Sequence, residues 1–163
     1  MAVSSFDHPG TSILHVSSYP RGRARFTPVD DQPAAETPDV DYPLVLTTGR
    51  VLEHYHSGTM SRRVASLAWL VPEAIVEIHP TDAARFGVAD GQRIRLRSRR
   101  GAVVTRAMVR ERITPGTVFI PFHFAEAAGN VLTHAALDPI AKIPEYKVCA
   151  VALQPGDETS APA

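Results

Sequence analysis

The sequence predicts a mainly β protein, a small closed β-barrel with short helical inserts. Six or seven short apolar or alternating runs are separated by turns that contain glycine or proline, which is typical of compact all-β folds. Few helices are predicted beyond SRRVASLAWL and a short turn at residues 81–86. The length of 163 residues fits one domain with a single modest core.

The predicted elements follow one another from residue 42 onward. YPLVLTTG (42–49) reads as a buried strand that runs into a glycine turn, and SRRVASLAWL contains an apolar helical stretch with Trp69 expected in the core. AIVEI (74–78) predicts a second strand. In the HPTDAARFG segment that follows, Thr81 or Asp82 begins a short helix, which Gly87 ends as a left-handed cap.

The second half of the chain predicts strands throughout. QRIRLRS alternates strictly, which places Ile94 and Leu96 inward and turns three arginines outward as a solvated face or a docking surface (Arg93, Arg95 and Arg97). RRGA then turns the chain into VVTRAMVRERI, and TPG turns it into TVFIPFHF. EYKVCAVAL is the last strand.

Three regions are expected along the chain. Residues 1–40 are rich in Pro, Ser and Asp and predict an extended N-terminal arm and linker, residues 41–153 form the barrel, and residues 154–163 are a disordered tail. The first ten residues show no basic-then-apolar signal and no apolar run reaches membrane-spanning length, which favours a cytoplasmic protein.

Charge and cysteine usage limit the classes of function. Basic and acidic residues are equal at 17 each, so no bulk basicity indicates nucleic acid or a membrane as partner. Fifteen of the 17 basic residues are arginine, which fits an anionic ligand but also a plain composition bias. The single cysteine, Cys149, excludes an internal disulfide or a multi-cysteine metal or iron–sulfur site within this chain and is expected to be buried and inert.

Self-contained catalysis is disfavoured. His54 and His56 would lie on one side of a strand and could begin a metal site, but no third ligand stands at a known spacing from them. Ser57 next to His56 is not a catalytic arrangement, because neighbouring side chains on an extended chain point apart. We therefore assign no catalytic residue and no metal ligand, and loop histidines that donate hydrogen bonds are the favoured alternative.

Phosphate binding is the better-supported chemistry. TTGR places two hydroxyls, a glycine and a guanidinium after a buried strand, and SGTMSRR adds hydroxyls and arginines before a helical stretch. Neither motif is a P-loop or a dinucleotide fingerprint. A solvated polar loop is the alternative interpretation.

Taken together, YPLVLTTGR, EHYHSGTMSRR, EIHPTDAARFGVADGQRIRLRSRRG, ITPGTVFIPFHF, GNVLTHAALDP and PEYKVCAV resemble the carboxy-terminal domain of dimethyl sulfoxide reductase-type molybdenum oxidoreductases. HYHSGTMSRR looks closest to formate dehydrogenase large subunits, with nitrate reductases as the alternative. The resemblance implies a six-stranded double-psi β-barrel that binds molybdopterin guanine dinucleotide. It also implies residues that contact this cofactor: Thr47, Thr48, Gly49, Arg50, His54, His56, Ser57, Gly58, Thr59, Met60, His79, Asp82, Phe122, His123, Asn130, Tyr146 and Lys147.

By this resemblance, TTGR lies near the phosphates, HSGTM near the pterin, and His79 and Asp82 near the guanine. Helix capping is the alternative for His79 and Asp82, and a turn residue is the alternative for Asn130.

The metal-ligating and iron–sulfur domains of the family, which share the Mo-bis-molybdopterin guanine dinucleotide, are not in this sequence. The expected partners are therefore the remaining domains or subunits of such an enzyme, and the chain is a fragment, a separate subunit or a truncated reading frame. Two rival hypotheses are a double-psi adaptor that binds a protein and a small barrel enzyme with its own metal.

Overall fold

A computed structural model of the protein describes Ile13, His15 and residues 18–156. Contacts divide the chain into two units, Met1–Gln32 and Pro33–Ala163. In the first unit, a bridge between Tyr19 and Gly22 closes a tight turn. Most of the predicted disordered tail, residues 157–163, lies outside the described residues, as does the amino-terminal decapeptide.

The described residues of the second unit form six strands and two α-helices. In chain order these are β1 (Leu44–Gly49), α1 (Ala65–Leu70), β2 (Ile75–Ile78), α2 (Pro80–Phe86), β3 (Arg93–Arg97), β4 (Ala102–Val109), β5 (Thr117–Pro121) and β6 (Cys149–Pro155). Short 3₁₀ turns cover Ser61–Arg63, Ala125–Ala127 and Gly129–Val131. Beyond β6, the Gly156 amide donates to the Arg93 carbonyl over 2.8 Å, so ordered pairing continues past residue 153.

The strands close into one barrel in the order β1-β5-β2-β4-β3-β6, with β6 pairing back to β1. β1 is parallel to β5 and β2 is parallel to β4, whereas the other neighbours are antiparallel. Closure leaves no unpaired sheet edge. The predicted fold class, mainly β with short helices in a six-stranded double-psi barrel, is confirmed.

The barrel interior is filled by alternating apolar side chains. Ile94 and Leu96 of β3 are fully buried, whereas Arg95 and Arg97 between and beside them are exposed. The same alternation buries Leu44 and the rest of the core: Leu46, Val76, Ile78, Val118, Ile120, Val151 and Leu153. The period-two pattern in the sequence therefore predicts the inner face of the barrel correctly.

Two expectations about the helices need correction. α2 begins at Pro80 and not at Thr81 or Asp82, because the His79 side chain caps it by accepting from the Thr81 amide over 3.1 Å. Gly87 ends this helix in the left-handed conformation, as predicted (φ 65°). Trp69 is not in the core, since it is 80% exposed on α1, a helix with no buried residue.

Two acidic side chains, Glu36 and Asp39, bind the segment before β1 to the barrel. Glu36 accepts hydrogen bonds from Arg99 and Arg100 in the β3–β4 turn and from the Ala150 amide of β6. Asp39 adds a second contact to Arg99. Part of the predicted linker is therefore fastened to the barrel surface.

Cys149 is buried, which confirms the expectation for the single thiol, and burial raises its pKa to about 11. Such a thiol is protonated at neutral pH and unreactive. No helix in residues 18–156 has the length and apolar character that a membrane span requires.

Candidate functional site

Two parallel strands end side by side at one end of the barrel. β1 and β5 are in register from Val45–Thr117 to Gly49–Pro121, so their carboxyl ends meet. The Phe122 amide donates to the Gly49 carbonyl over 3.2 Å and extends this pairing by one residue. Arg50 and Phe122 therefore leave the barrel together, with the guanidinium carbon 5.9 Å from the centre of the phenyl ring.

A pocket of about 510 Å³ opens beside this strand end. Its volume falls within the range of roughly 300–1,000 Å³ that is common for small-molecule sites. Four chain segments converge on it and contribute Arg50, His56, Ser57, Phe122, Asn130, Thr133, His134, Pro144 and Tyr146. Within the described part of the chain, its lining includes one guanidinium and no carboxylate, so the pocket suits an anionic ligand.

A buried histidine shapes the loop that follows β1. His54 Nε2 faces the Val71 carbonyl at 2.8 Å and therefore donates to it. Nδ1 then accepts from the Ser61 hydroxyl at 3.2 Å, and this hydroxyl accepts from the Tyr55 amide at 3.0 Å. His54 is thus a positioning residue behind the pocket and does not line it. The expectation that His54 and His56 lie on one side of a strand is wrong, because this segment is a loop.

The tip of this loop adopts two left-handed backbone conformations. Gly58 has φ 72°, which glycine adopts freely, and a side chain at this position would meet Arg62 at 2.9 Å. His56 has φ 49°, which is uncommon for a residue with a side chain. The turn places His56 and Ser57 at the pocket rim, and the Ser57 hydroxyl lies 2.9 Å from that of Thr59.

The far wall of the pocket is joined to β1 by one hydrogen bond. The buried Thr48 hydroxyl donates to the Tyr146 carbonyl over 2.9 Å. The Asn130 carbonyl accepts from the Thr133 hydroxyl at 3.0 Å, so Asn130 also holds a turn, as its alternative interpretation predicts. Its side chain remains on the pocket lining.

His123 lies behind the loop and is 5% exposed. Neither ring nitrogen has a hydrogen-bond partner, and the ring centre lies 5.0 Å from that of His54 and 4.4 Å from that of Phe124. Burial, together with the nearby His54 and Arg62, lowers the pKa of His123 to about 4. The ring is therefore neutral at pH 7 and packs as an apolar group.

Arg50 also borders a neighbouring cavity of about 600 Å³. That cavity is lined mainly by apolar side chains, with Glu53, Glu77 and Arg112 as further charged residues. The buried Glu77 carboxylate is bound by Arg112 through two hydrogen bonds. Since this cavity presents carboxylates, the first pocket is the better site for an anion.

His79 and Asp82 lie at the other end of the barrel. β2 runs antiparallel to β5, so its carboxyl end lies beside the start of β5 and away from Arg50. Asp82 is buried and accepts from the Gly116 amide over 2.6 Å, while His79 caps α2. The His79 contact matches the capping interpretation, whereas Asp82 binds an amide in the loop before β5. The structure does not bring these two residues to the pocket.

The remaining predicted contact residues, which include Thr48 and Gly58, do not line the pocket either. Thr47 is half-buried on β1, while Thr59, Met60 and Lys147 are exposed. Gly49 ends β1 in contact with Phe119, and a side chain there would come within 2.6 Å of that ring. Among the described residues, no three His, Cys, Asp or Glu side chains are grouped as metal ligands.

Sequence reasoning missed three lining residues, Thr133, His134 and Pro144. They lie in GNVLTHAALDP and PEYK, the same runs that contain Asn130 and Tyr146. A histidine in a polar loop close to a predicted contact was an available signal. No periodicity marks such residues, because their approach to β1 depends on tertiary contacts.

The chain is similar in sequence to larger proteins. The model of the molydopterin dinucleotide binding domain matches residues 44–150. The chain is 47% identical over 150 residues to the F420-dependent formate dehydrogenase subunit alpha of Methanocaldococcus jannaschii, covering 91% of this chain and 22% of that protein. It is 42% identical over 154 residues to the assimilatory nitrate reductase catalytic subunit of Bacillus subtilis, with the same coverage of 91% and 22%.

Among solved structures, the fold is similar to part of acetylene hydratase from Pelobacter acetylenicus. The TM-score is 0.63 at 18% identity, over 71% of this chain and 18% of that one. The chain therefore spans about a fifth of the length of the curated relatives that it matches.

Proposed function

Since the chain belongs to the molydopterin dinucleotide binding domain family, we propose that its pocket beside β1 and β5 holds molybdopterin guanine dinucleotide. The observation that carries this proposal is the convergence of Arg50, Ser57 and Asn130 on one pocket whose described lining contains no carboxylate. A guanidinium, a hydroxyl and an amide are suitable donors for phosphate and pterin oxygens. The residues present therefore fit the cofactor.

In this proposal the chain itself binds and orients. Arg50 supplies charge to the diphosphate, the strained His56 turn sets the rim, and Phe122 offers an aromatic surface. The bound cofactor supplies redox chemistry, which needs no catalytic residue from this barrel. The buried histidines behind the loop keep the donor-bearing segment in place and exclude water from its inner side.

We further propose that the chain acts as the cofactor-capping domain of a formate dehydrogenase-like molybdenum oxidoreductase. The identity to the formate dehydrogenase subunit alpha supports this, and the similarity to a nitrate reductase keeps nitrate reduction as the alternative. Its partners would be the remaining domains or subunits of that enzyme. The exposure of Trp69 and Leu70 on α1 supports such a partner, because a short apolar helix gains stability by packing.

Binding of the full chain to molybdopterin guanine dinucleotide, released anaerobically from a purified molybdoenzyme, tests the proposal. By mass action, a hundredfold excess over Kd should raise Tm by roughly 5–10 °C. Arg50→Ala should abolish most of this shift. Arg85→Ala is the matched control, because Arg85 also lies over a phenylalanine ring (5.0 Å) but on α2. Absence of any shift in the wild-type chain would refute cofactor binding.

A further inference from the structure

His134 lines the pocket but has no role in the site derived above. Its side chain is 10% exposed. The Nε2 atom is buried and has no hydrogen-bond partner among the described residues. A buried polar atom without a partner in a pocket wall points to an acceptor or donor that a ligand supplies.

The local backbone fixes which nitrogen of His134 carries the proton. Nδ1 accepts a hydrogen bond from the Ala136 amide over 3.2 Å. An amide N–H cannot accept a hydrogen bond, so Nδ1 is unprotonated and the neutral ring carries its proton on Nε2. The unpartnered atom is therefore a donor, and it needs an oxygen.

The nearest carboxylate does not satisfy this donor. Glu145 Oε2 lies 3.8 Å from Nε2, which is beyond hydrogen-bond distance. The same oxygen already accepts from the Ala35 amide at 3.1 Å. Neither contact therefore gives the Nε2–H of His134 a hydrogen-bond acceptor among the described residues.

We infer that His134 is a ligand-binding residue whose Nε2–H donates to a phosphate oxygen of the bound dinucleotide. The inference rests on the proposed cofactor function. A phosphate is the favoured acceptor because Arg50 supplies the formal charge of the same lining. The two side chains then contribute differently to binding. Arg50 attracts the diphosphate, whereas His134 fixes one of its oxygens with a neutral donor that loses little hydration on binding.

Binding measurements on the full chain test this role. His134→Ala should weaken molybdopterin guanine dinucleotide at least about tenfold, the usual loss for a hydrogen bond to a charged group. The affinity of His134→Ala for guanosine diphosphate, which also contains a diphosphate, should fall by a similar factor. His134→Gln, whose amide nitrogen reaches close to the Nε2 position, should recover most of the affinity. His79→Gln is the matched control, because His79 caps α2 at the other end of the barrel.

The outcomes separate this inference from the proposed function. If wild type binds and Arg50→Ala weakens binding but His134→Ala does not, the His134 assignment is wrong and the cofactor function stands. If wild type does not bind, the cofactor function itself fails. A loss for the dinucleotide with none for guanosine diphosphate places the acceptor outside the diphosphate and also overturns the assignment.

Two further measurements report on the imidazole directly. In ¹⁵N spectra of the histidine side chains, the free protein should show the Nε2–H tautomer at His134, and ligand should shift this proton downfield. A double-mutant cycle of His134→Ala with Glu145→Gln should show negligible coupling in the stability of the ligand-free chain. Strong coupling with unchanged ligand affinity would make the pair structural and refute the inference.

Discussion

Glu36 and Arg100 form a two-point contact in which each carboxylate oxygen accepts from one guanidinium nitrogen at 2.7 Å. The Glu36 side chain is only 13% exposed, and its carboxylate also accepts from Arg99 and the Ala150 amide. The hydrogen bond from Arg100, the Ala150 amide and Arg99 together lower the pKa of Glu36 from 4.5 to about 2, against the opposing effect of burial. This contact holds the segment before β1 on the barrel.

Glu36→Gln should lower the free energy of unfolding by roughly 2–3 kcal/mol at neutral pH, because it removes a charge that is stabilised in the folded state. Because the pKa of Glu36 is lowered on folding, its contribution to stability is complete above pH 4.5 and is lost as the pH falls toward 2. Urea unfolding across this pH range should therefore show a steeper loss for wild type than for the variant. Glu111→Gln, an exposed carboxyl in the turn after β4, is the control. Parallel pH curves for wild type and Glu36→Gln would contradict the prediction.

His123 should make the free energy of unfolding depend on pH in a higher range than Glu36 does, between about pH 4 and 6.5. Its pKa is lowered from 6.5 to about 4, so the unfolded chain binds a proton that the folded chain does not. Stability from this group is complete above 6.5 and falls by about 3 kcal/mol on reaching pH 4. His123→Leu should remove this slope and leave stability at pH 7 unchanged or higher, because two unpaired nitrogens are lost. Retention of the slope in this variant would assign it to another group.

The barrel strands could be predicted because their signal is local. Alternation of Ile94 and Leu96 with arginines specifies a strand with one buried face, whatever its neighbours are. The pairing of β1 with β5 is not local, so the approach of Arg50 to Phe122 could be expected from the family resemblance alone. Composition also could not show that Trp69 is exposed, since an apolar helix looks the same whether or not a partner covers it.

At the site, too, the features that depend on local sequence could be predicted, whereas those that depend on distant contacts could not. Arg50 and Ser57 lie on the pocket as expected, because both follow directly from the end of β1 and its loop. Asp82 does not, because it follows β2 at the other end of the barrel, where it accepts from the Gly116 amide, 34 residues away in sequence. His134 was missed for a related reason, since its unpaired nitrogen becomes visible only in the folded chain.

Gly49→Ala should destabilise the protein by about 1–2 kcal/mol, the usual effect of forcing a methyl group into a packed site. The added methyl would lie 2.6 Å from Phe119, and the end of that ring must move. Phe119→Leu should relieve part of this cost in the double variant, as measured by chemical unfolding. Gly87→Ala is the control, because its cost arises from φ 65° with no neighbour within 4 Å. Additive effects of Gly49→Ala and Phe119→Leu would exclude the proposed clash.

His54→Leu should loosen the loop that follows β1 and cost roughly 2–4 kcal/mol, because two buried hydrogen bonds are lost and their partners stay unsatisfied. Amide hydrogen exchange at Tyr55, which donates to the Ser61 hydroxyl, should accelerate. His79→Ala should cost only about 1 kcal/mol, as for loss of a helix cap, and leave Tyr55 unaffected. If Tyr55 exchange is the same in His54→Leu as in wild type, His54 does not position the loop.

Trp69→Ser should leave the stability of the isolated chain within about 0.5 kcal/mol of wild type, because the indole is 80% exposed and has no core contact to lose. Its effect should appear on association. The test partner is a formate dehydrogenase subunit alpha that is produced without its own carboxy-terminal domain. In sedimentation experiments, this protein should bind the wild-type chain. It should bind Trp69→Ser at least about tenfold more weakly, as expected for a central aromatic contact. Ile140→Ser is the matched control, since Ile140 is 90% exposed in the turn that joins residues 138–143. If Trp69→Ser binds as tightly as Ile140→Ser and wild type, the exposed face of α1 takes no part in holding the barrel on the rest of the enzyme.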